Sequence, residues 1–449
     1  MMIDEISALE TSFNQLVETL LMKKAEDEQF TVRLKSERSQ FTRFNHAKVR
    51  QTGFVADGWI ELTLMAEQRR IFSQFPFTGN WEVDGNLAYT ALQELRAEIP
   101  LLPIDPYLVL PSGNHTSREI NTGNLLTTET VVERILESVA DLDFTGIYAG
   151  GVVVRAYGDS NGQLHWFATD SFNLDYSLFI PSGQAVKGTF AGNEWDESAY
   201  LGKIKDGKKQ LEMLSLPPKK IPRGQYKTYF APAAVADLLA MLSWGAISEA
   251  DIQQGNSALA VLSRQEKNLS PKFNLKENFT KGLVPRFNEL GEIAAPELIL
   301  IDQGNLVNTL INSRTAKEYG KIANGANSYE SLRAPEIASG NLAFEQILPN
   351  LDTGLYVSNL HYLNWSDRPS GRITGMTRYA CFWVENGEIV APIENLRFDE
   401  SLYRFWGEDN LVDLTNFQEF IPEVGTYDSR QLGGSFVPGM LVKDFTYTL

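Results

Sequence analysis

The stretch from Tyr229 to Ile247, YFAPAAVADLLAMLSWGAI, limits the possible folds more than any other, because its nineteen residues carry one charge, Asp237. A run this apolar must leave water, either across a bilayer or inside a core that surrounds it. A carboxylate at the centre and Pro232 near the start disfavour a spanning helix, and the alanines suit close packing on all sides. The expectation is a helix buried in a globular protein. Enclosing it needs a sizeable core, and 449 residues supply enough chain for two or three domains. An apolar share of 43% with 22% charged residues is that of a folded chain rather than a disordered one.

The remaining periodicities predict an α+β fold: N-terminal α/β sheet-and-helix units followed by a strand-rich C-terminal domain that holds the buried helix. Ile3, Ile6, Leu9, Phe13, Leu16, Val17, Leu20 and Leu21 recur at spacings of three and four, the mark of an amphipathic helix. Phe30, Val32 and Leu34, then Ile60, Leu62 and Leu64, alternate as in half-buried strands. Leu87, Ala91, Leu92, Leu95 and Ile99 share a helical face that closes a first unit, 1–110, at the proline-spaced run IPLLPIDPYLVLP. A second unit, 111–223, contains a helix with Val131, Val132, Ile135, Leu136 and Val139 inward. It continues into GGVVVRAYGDSNGQLHWFATD, two strand-like runs joined by an Asn-Gly turn. Lys203, Lys205, Lys208, Lys209, Lys219, Lys220 and Arg223 lie among glycines and prolines in GKIKDGKKQ and PPKKIPRG and read as a solvated linker. The third unit is 224–449.

A net charge of -17 repels polyphosphate, and with no concentrated basic face the chain is not expected to bind nucleic acid. One cysteine, Cys381, cannot form an internal disulfide and suits a reducing compartment. The start MMIDEISALE places acids where a secretion signal carries basic residues, so the expected location is cytoplasmic, off the membrane.

A search for chemistry finds no catalytic constellation. The four histidines, His46, His115, His165 and His361, are dispersed, whereas a zinc peptidase helix presents two imidazoles one turn apart with a glutamate between. Cys-x-x-Cys and Walker-type patterns are absent from the sequence, and the Gly-x-Ser-x-Gly spacing at Gly158-Asp159-Ser160-Asn161-Gly162 falls in the Asn-Gly turn between two strand-like runs, not at a strand-to-helix elbow. Cys381 in RYACFWVENGEIV has apolar neighbours that do nothing to activate a thiol and reads as a packed core residue. His165 reads as a hydrogen-bonded structural residue of the hairpin.

The order of short signatures in the third unit is more specific. PRFNELGEIAAPELILIDQGNLVNTLINSRTAKEYG is followed by GLYVSNL, SGRITG, FWVENGEIVAPI and the ending GGSFVPGMLVKDFTYTL. Together with the earlier ERSQFTRFNHAKVRQTG and the Asn-Gly hairpin, these resemble the TldD/PmbA family, also labelled modulators of DNA gyrase, over nearly the whole chain. That resemblance implies a division of labour. TldD-type members carry zinc on a His-Glu-x-x-x-His helix with a further ligand downstream, while PmbA or TldE-type members lack these residues and pair with a TldD-type chain. Here the corresponding helix, APAAVADLLAMLSWGAIS, has neither His nor Glu, and no cysteine follows Cys381.

The implied role is a PmbA/TldE-like subunit with no catalytic and no metal-ligating residue, no cofactor of its own, and zinc in a catalytic partner. The partner is a TldD-type paralogue or a second copy, and the substrate an extended or unfolded peptide. Two other readings stay open: a stand-alone metallopeptidase using scattered groups such as Asp367 or Glu388, and a homodimeric interaction protein that cleaves nothing. In GLYVSNLHYLNWSDRPSGRITG, Leu355, Val357 and Leu360 read as strand core. Tyr356, His361, Tyr362, Trp365 and Arg372 are the expected lining of a peptide-binding cleft.

Overall fold

A computed structural model describes residues 2–425 and 429–448. The N-terminal half runs α1 (Met2–Lys23), β1 (Gln29–Asn45), β2 (Lys48–Ala66), β3 (Arg69–Pro76), α2 (Trp81–Glu98), β4 (Thr116–Asn121), α3 (Val131–Leu136), β5 (Asp143–Asp159), β6 (Leu164–Phe179), β7 (Ala185–Gly192) and α4 (Glu197–Leu214). The spacing that marks α1 buries Ile6, Leu9, Phe13, Leu16, Val17 and Leu20, though Leu21 faces solvent. With Ala88, Ala91, Leu92 and Leu95 of α2 these side chains cover Val32, Leu34, Leu62, Val152 and Val154 of the sheet. Leu87 falls outside that face and is exposed.

Segments 1–110 and 111–223 share a sheet. Strand β1 lies antiparallel to β5 from Thr31 opposite Asp159 to Phe44 opposite Gly146. The result is a seven-stranded sheet in the order β3-β2-β1-β5-β6-β4, with β7 also paired to β6. Strands this long leave a row of unpaired peptide groups on each side, and pairing across more than a hundred residues satisfies them.

The lysine-rich stretch is no linker over most of its length. GKIKDGKKQ lies inside α4, an 18-residue helix capped by the Asp196 carboxylate on the Ala199 N–H. Its inward face is Tyr200, Ile204, Gly207, Leu211 and Leu214, packed on Phe144, Tyr176 and Leu178. Gly207 lets the helix approach: a Cβ there would lie 2.9 Å from Leu178 Cδ1. The lysines fan outward, Lys203 to Glu419, Lys208 to Asp141 and Lys209 to Asp206. Only Lys219, Lys220 and Arg223 lie in irregular chain beyond the helix.

The C-terminal half opens with β8 (Gly224–Phe230) and α5 (Pro232–Ala240). The apolar stretch is helical only in part: Tyr229 and Phe230 belong to β8, α5 ends at Ala240 and Trp244 is exposed, while Ala234, Val235, Leu238 and Leu239 are fully enclosed in the largest core of the chain. Among the described residues no helix is long and apolar enough to cross a membrane. A nine-stranded sheet surrounds this core in the order Asn359–Asp367, Arg372–Arg378, Arg397–Ser401, Met440–Tyr447, β8, Gly354–Val357, Phe382–Glu385 and Glu388–Pro392, with Leu411–Leu414 beside Met440–Tyr447. A six-stranded sheet, ordered Asn305–Leu306, Glu297–Asp302, Leu275–Asn278, Pro335–Ile337, Gly434–Val437 and Glu419–Pro422, completes an α+β architecture that is strand-rich towards the C-terminus.

Candidate functional site

Leu355, Val357 and Leu360 are core, as their alternation implies. The side chains around them go different ways. Tyr356 points to the opposite face of its strand from Leu355 and Val357 and lines a cleft. His361 and Tyr362 sit at a bulge, where the register with Arg372–Arg378 slips between His361 and Asn364. The extra residue bends the strand and turns Tyr362 outward with φ 53°, 76% exposed, its ring 4.0 Å from that of His361. Slight burial and the charge of Arg378 hold the His361 imidazole below its usual pKa.

Trp365 and Arg372 are engaged in holding the fold. The Trp365 indole N–H donates to the Trp244 carbonyl beyond the end of α5. Arg372 pairs with Asp399 on the neighbouring strand at 2.7 Å. At the start of the same strand the Leu360 N–H donates to Asp237 Oδ2 of α5 at 3.0 Å. The aromatic hairpin is therefore a strap across α5, fastened at Asp237 and Trp244. The expected lining residues do not converge, and of them Tyr356 alone reaches the cleft.

That cleft, about 580 Å³, lies between the N-terminal sheet and the C-terminal half. One wall is Tyr176, β7 and α4, and the opposite wall contains Tyr229, Tyr356, Phe382, Phe344 and Phe417. The first turn of α5, Ala231 to Ala233, also reaches it. Tyr229 and Tyr356 lie 5.2 Å apart, and Tyr356 and Phe382 6.1 Å. Lys203 of α4 bridges the walls through a 2.6 Å contact with Glu419. Burial first, with the Glu419 carboxylate adding, raises the pKa of Tyr176, Tyr229 and Tyr356, so their hydroxyls stay protonated and able to donate. Strand edges from each of the sheets border the space: β7, Glu419–Pro422 and Glu388–Pro392. Strand edges next to aromatic walls are one means by which proteins hold extended peptides.

Sequence reasoning missed most of this cleft. Tyr176, Lys203, Tyr229, Phe344 and Glu419 come from separate parts of the chain, and no local pattern links them. Pro232 starting a helix right after a strand is the one local sign that a helix N-terminus would open onto a cavity.

The donors around α5 do not suit zinc. The helix offers only Asp237, and among the described residues no group of three His, Cys, Asp or Glu side chains could hold a metal ion. His46 sits on an exposed turn against Asp143, and His165 is buried beside Ser117 at 2.8 Å. Cys381 is buried, with burial pushing its thiol pKa up. Asp367 and Glu388 lie on the two opposite edge strands of the nine-stranded sheet, too far apart in strand order to share a site.

Comparison with known proteins agrees with this architecture. The model of the PmbA/TldA metallopeptidase C-terminal domain matches residues 223–449. Metalloprotease PmbA of Escherichia coli O157:H7 is 25% identical over 301 residues, 64% of this chain and 62% of that protein, so the alignment spans less than two thirds of the relative's length. The crystal structure of TldE from Thermococcus kodakarensis superposes with a TM-score of 0.79 at 13% identity, covering 98% of this chain and 100% of the other. A Bacteroides thetaiotaomicron VPI-5482 protein carrying the label modulator of DNA gyrase gives 0.76 at 15% identity over 100% of both chains. A similarly labelled protein of Thermotoga maritima MSB8 gives 0.72 at 16% over 98% and 100%. At these identities the superpositions speak to the fold, while the domain match covers the larger part of the chain. The chain belongs to the PmbA/TldD metallopeptidase family.

Proposed function

We propose that this chain is a PmbA/TldE-like subunit that holds extended or unfolded peptides while a TldD-type partner supplies the zinc and the cleavage. The observation that carries the reading is α5, whose first turn opens onto an aromatic cleft bordered by strand edges while its length provides no pair of metal ligands. A zinc peptidase needs several protein ligands around an open coordination position, and a cleft that offers none among the described residues would grip a peptide while another chain hydrolyses it. Protonated tyrosines would donate to peptide carbonyls, and the paired Lys203 and Glu419 offer either charge to a passing side chain. The partner would be a TldD-type paralogue, and the pair would act in the cytoplasm.

Phe344 tests the grip, because it lines the cleft yet is 60% exposed and so contributes little to folding. Phe344→Ala should weaken binding of a fluorescent unstructured peptide by about 1 to 3 kcal/mol, the loss of an aromatic anchor, with an unchanged melting temperature. If Phe344→Ala binds like the parent while Tyr362→Ala does not, the peptide sits on the hairpin bulge and the cleft reading fails.

A further inference from the structure

A second pocket, about 240 Å³, opens where β1 and β5 meet the C-terminal half, and its charge is at odds with the rest of the molecule. Arg33, Lys35, Arg155 and Arg333 line it against a single carboxylate, Glu289, in a chain whose net charge is -17. Two of these cations are neutralised locally. Arg33 pairs with Glu61 and, at 3.6 Å, with Glu289. Arg333 spends its donors on the carbonyls of Pro285, Phe287 and Gly325 and stacks on Phe279.

Lys35 and Arg155 differ. The register places Lys35 directly opposite Arg155 on one side and Trp59 on the other. Like charges facing each other across a sheet cost stability. Among the described residues Arg155 donates to the carbonyls of Val154 and Arg430. Burial pulls the Arg155 guanidinium down to about 10 against the opposing charge of Glu37, and loss of solvent with the charges of Arg155 and Arg33 lowers Lys35 against Glu61 and Glu289. Glu37, Glu61 and Glu289 reach these two cations only from a distance, and among the described residues neither forms an ion pair, so an anion entering the concavity would meet two donors without a carboxylate partner.

We propose that this pocket binds a small oxyanion, a carboxylate or phosphate group, held by Lys35 and Arg155. The guanidinium supplies the planar fork suited to two oxygens, and the ammonium closes the site from the mouth. The side-chain amides of Asn288 and Gln431 lie on the same lining and can complete the shell. The aromatic cleft is a separate space that shares no lining residue with this pocket, so the inference stands without the peptide reading.

Isothermal titration of the full chain at constant ionic strength, once with inorganic phosphate and once with glutarate, tests it. At least one of the two should bind saturably at one site per chain, and the tighter one identifies the source of the oxyanion. Lys35→Met and Arg155→Met should each weaken that binding at least tenfold. Without anion, Lys35→Met should melt no lower than the parent, because it removes repulsion. Should Arg155→Met fail to fold, Lys35→Met decides alone. No saturable binding of either anion, or parent affinity retained in Lys35→Met, overturns the proposal.

Discussion

Asp237 is the one charge in α5, and replacing it with asparagine tests how that helix is held. Burial raises its carboxyl from the ordinary 3.8 to about 7, against the smaller opposing effect of the Leu360 N–H. The folded protein therefore holds this proton more tightly than the unfolded chain, so stability falls as pH rises from about 4 through 7. The interval from 3.8 to about 7, at about 1.4 kcal/mol per pH unit, bounds the loss at about 4 kcal/mol, and partial contact with solvent brings it to about 2 to 4 kcal/mol. Asparagine keeps an oxygen for the Leu360 N–H, removes the charge and has a similar helix propensity. In urea unfolding, Asp237→Asn should thus be more stable than the parent by about 2 to 4 kcal/mol at pH 8 and equal to it near pH 4. An offset that is the same at both pH values, or a less stable variant at pH 8, would refute the reasoning.

The strap across α5 separates two aromatic residues. Trp365→Ala loses the bond to Trp244 and packing on the core and should cost about 2 to 4 kcal/mol, whereas the exposed Tyr362→Ala should stay within about 0.5 kcal/mol of the parent in thermal melts. Equal losses would mean that the hairpin is not fastened at Trp244. Gly354→Ala would place a Cβ 2.2 Å from the Lys227 carbonyl oxygen, where the strand lies parallel to β8. It should cost at least about 3 kcal/mol or prevent folding, and a circular dichroism melt matching the parent would contradict that close approach.

The parts of this fold legible in the sequence are those whose cause is local. Periodic side chains mark α1 and α2, alternation marks β1 and β2, and Asn161-Gly162 marks the β5–β6 hairpin because few residues tolerate the turn's backbone angles. Helix α4 is hidden by its glycines and lysines: Gly207 looks like a breaker in sequence but serves as the point of closest approach to Leu178. The pairing of β1 with β5 has no local signature, since it is decided by which long strand is free to satisfy which edge. The same limit applies to the cleft. Tyr356 stands out within an aromatic segment, but its neighbours Tyr176, Tyr229 and Glu419 become neighbours only through topology. Trp365 and Arg372 carry the residue types of a binding site, and only their partners, Trp244 and Asp399, reveal that they hold the hairpin in place.

Reconstitution tests the division of labour most directly. The purified chain and a TldD-type chain of the same organism would be assayed separately and mixed, with native mass, bound zinc and cleavage of an unstructured peptide read on each. The account predicts no stoichiometric zinc and no cleavage for this chain alone. The mixture should form a defined complex that cleaves the peptide until a chelator is added, with its zinc content unchanged by substitution of any histidine of this chain. One tightly held zinc per chain together with peptide cleavage by this chain alone would contradict it.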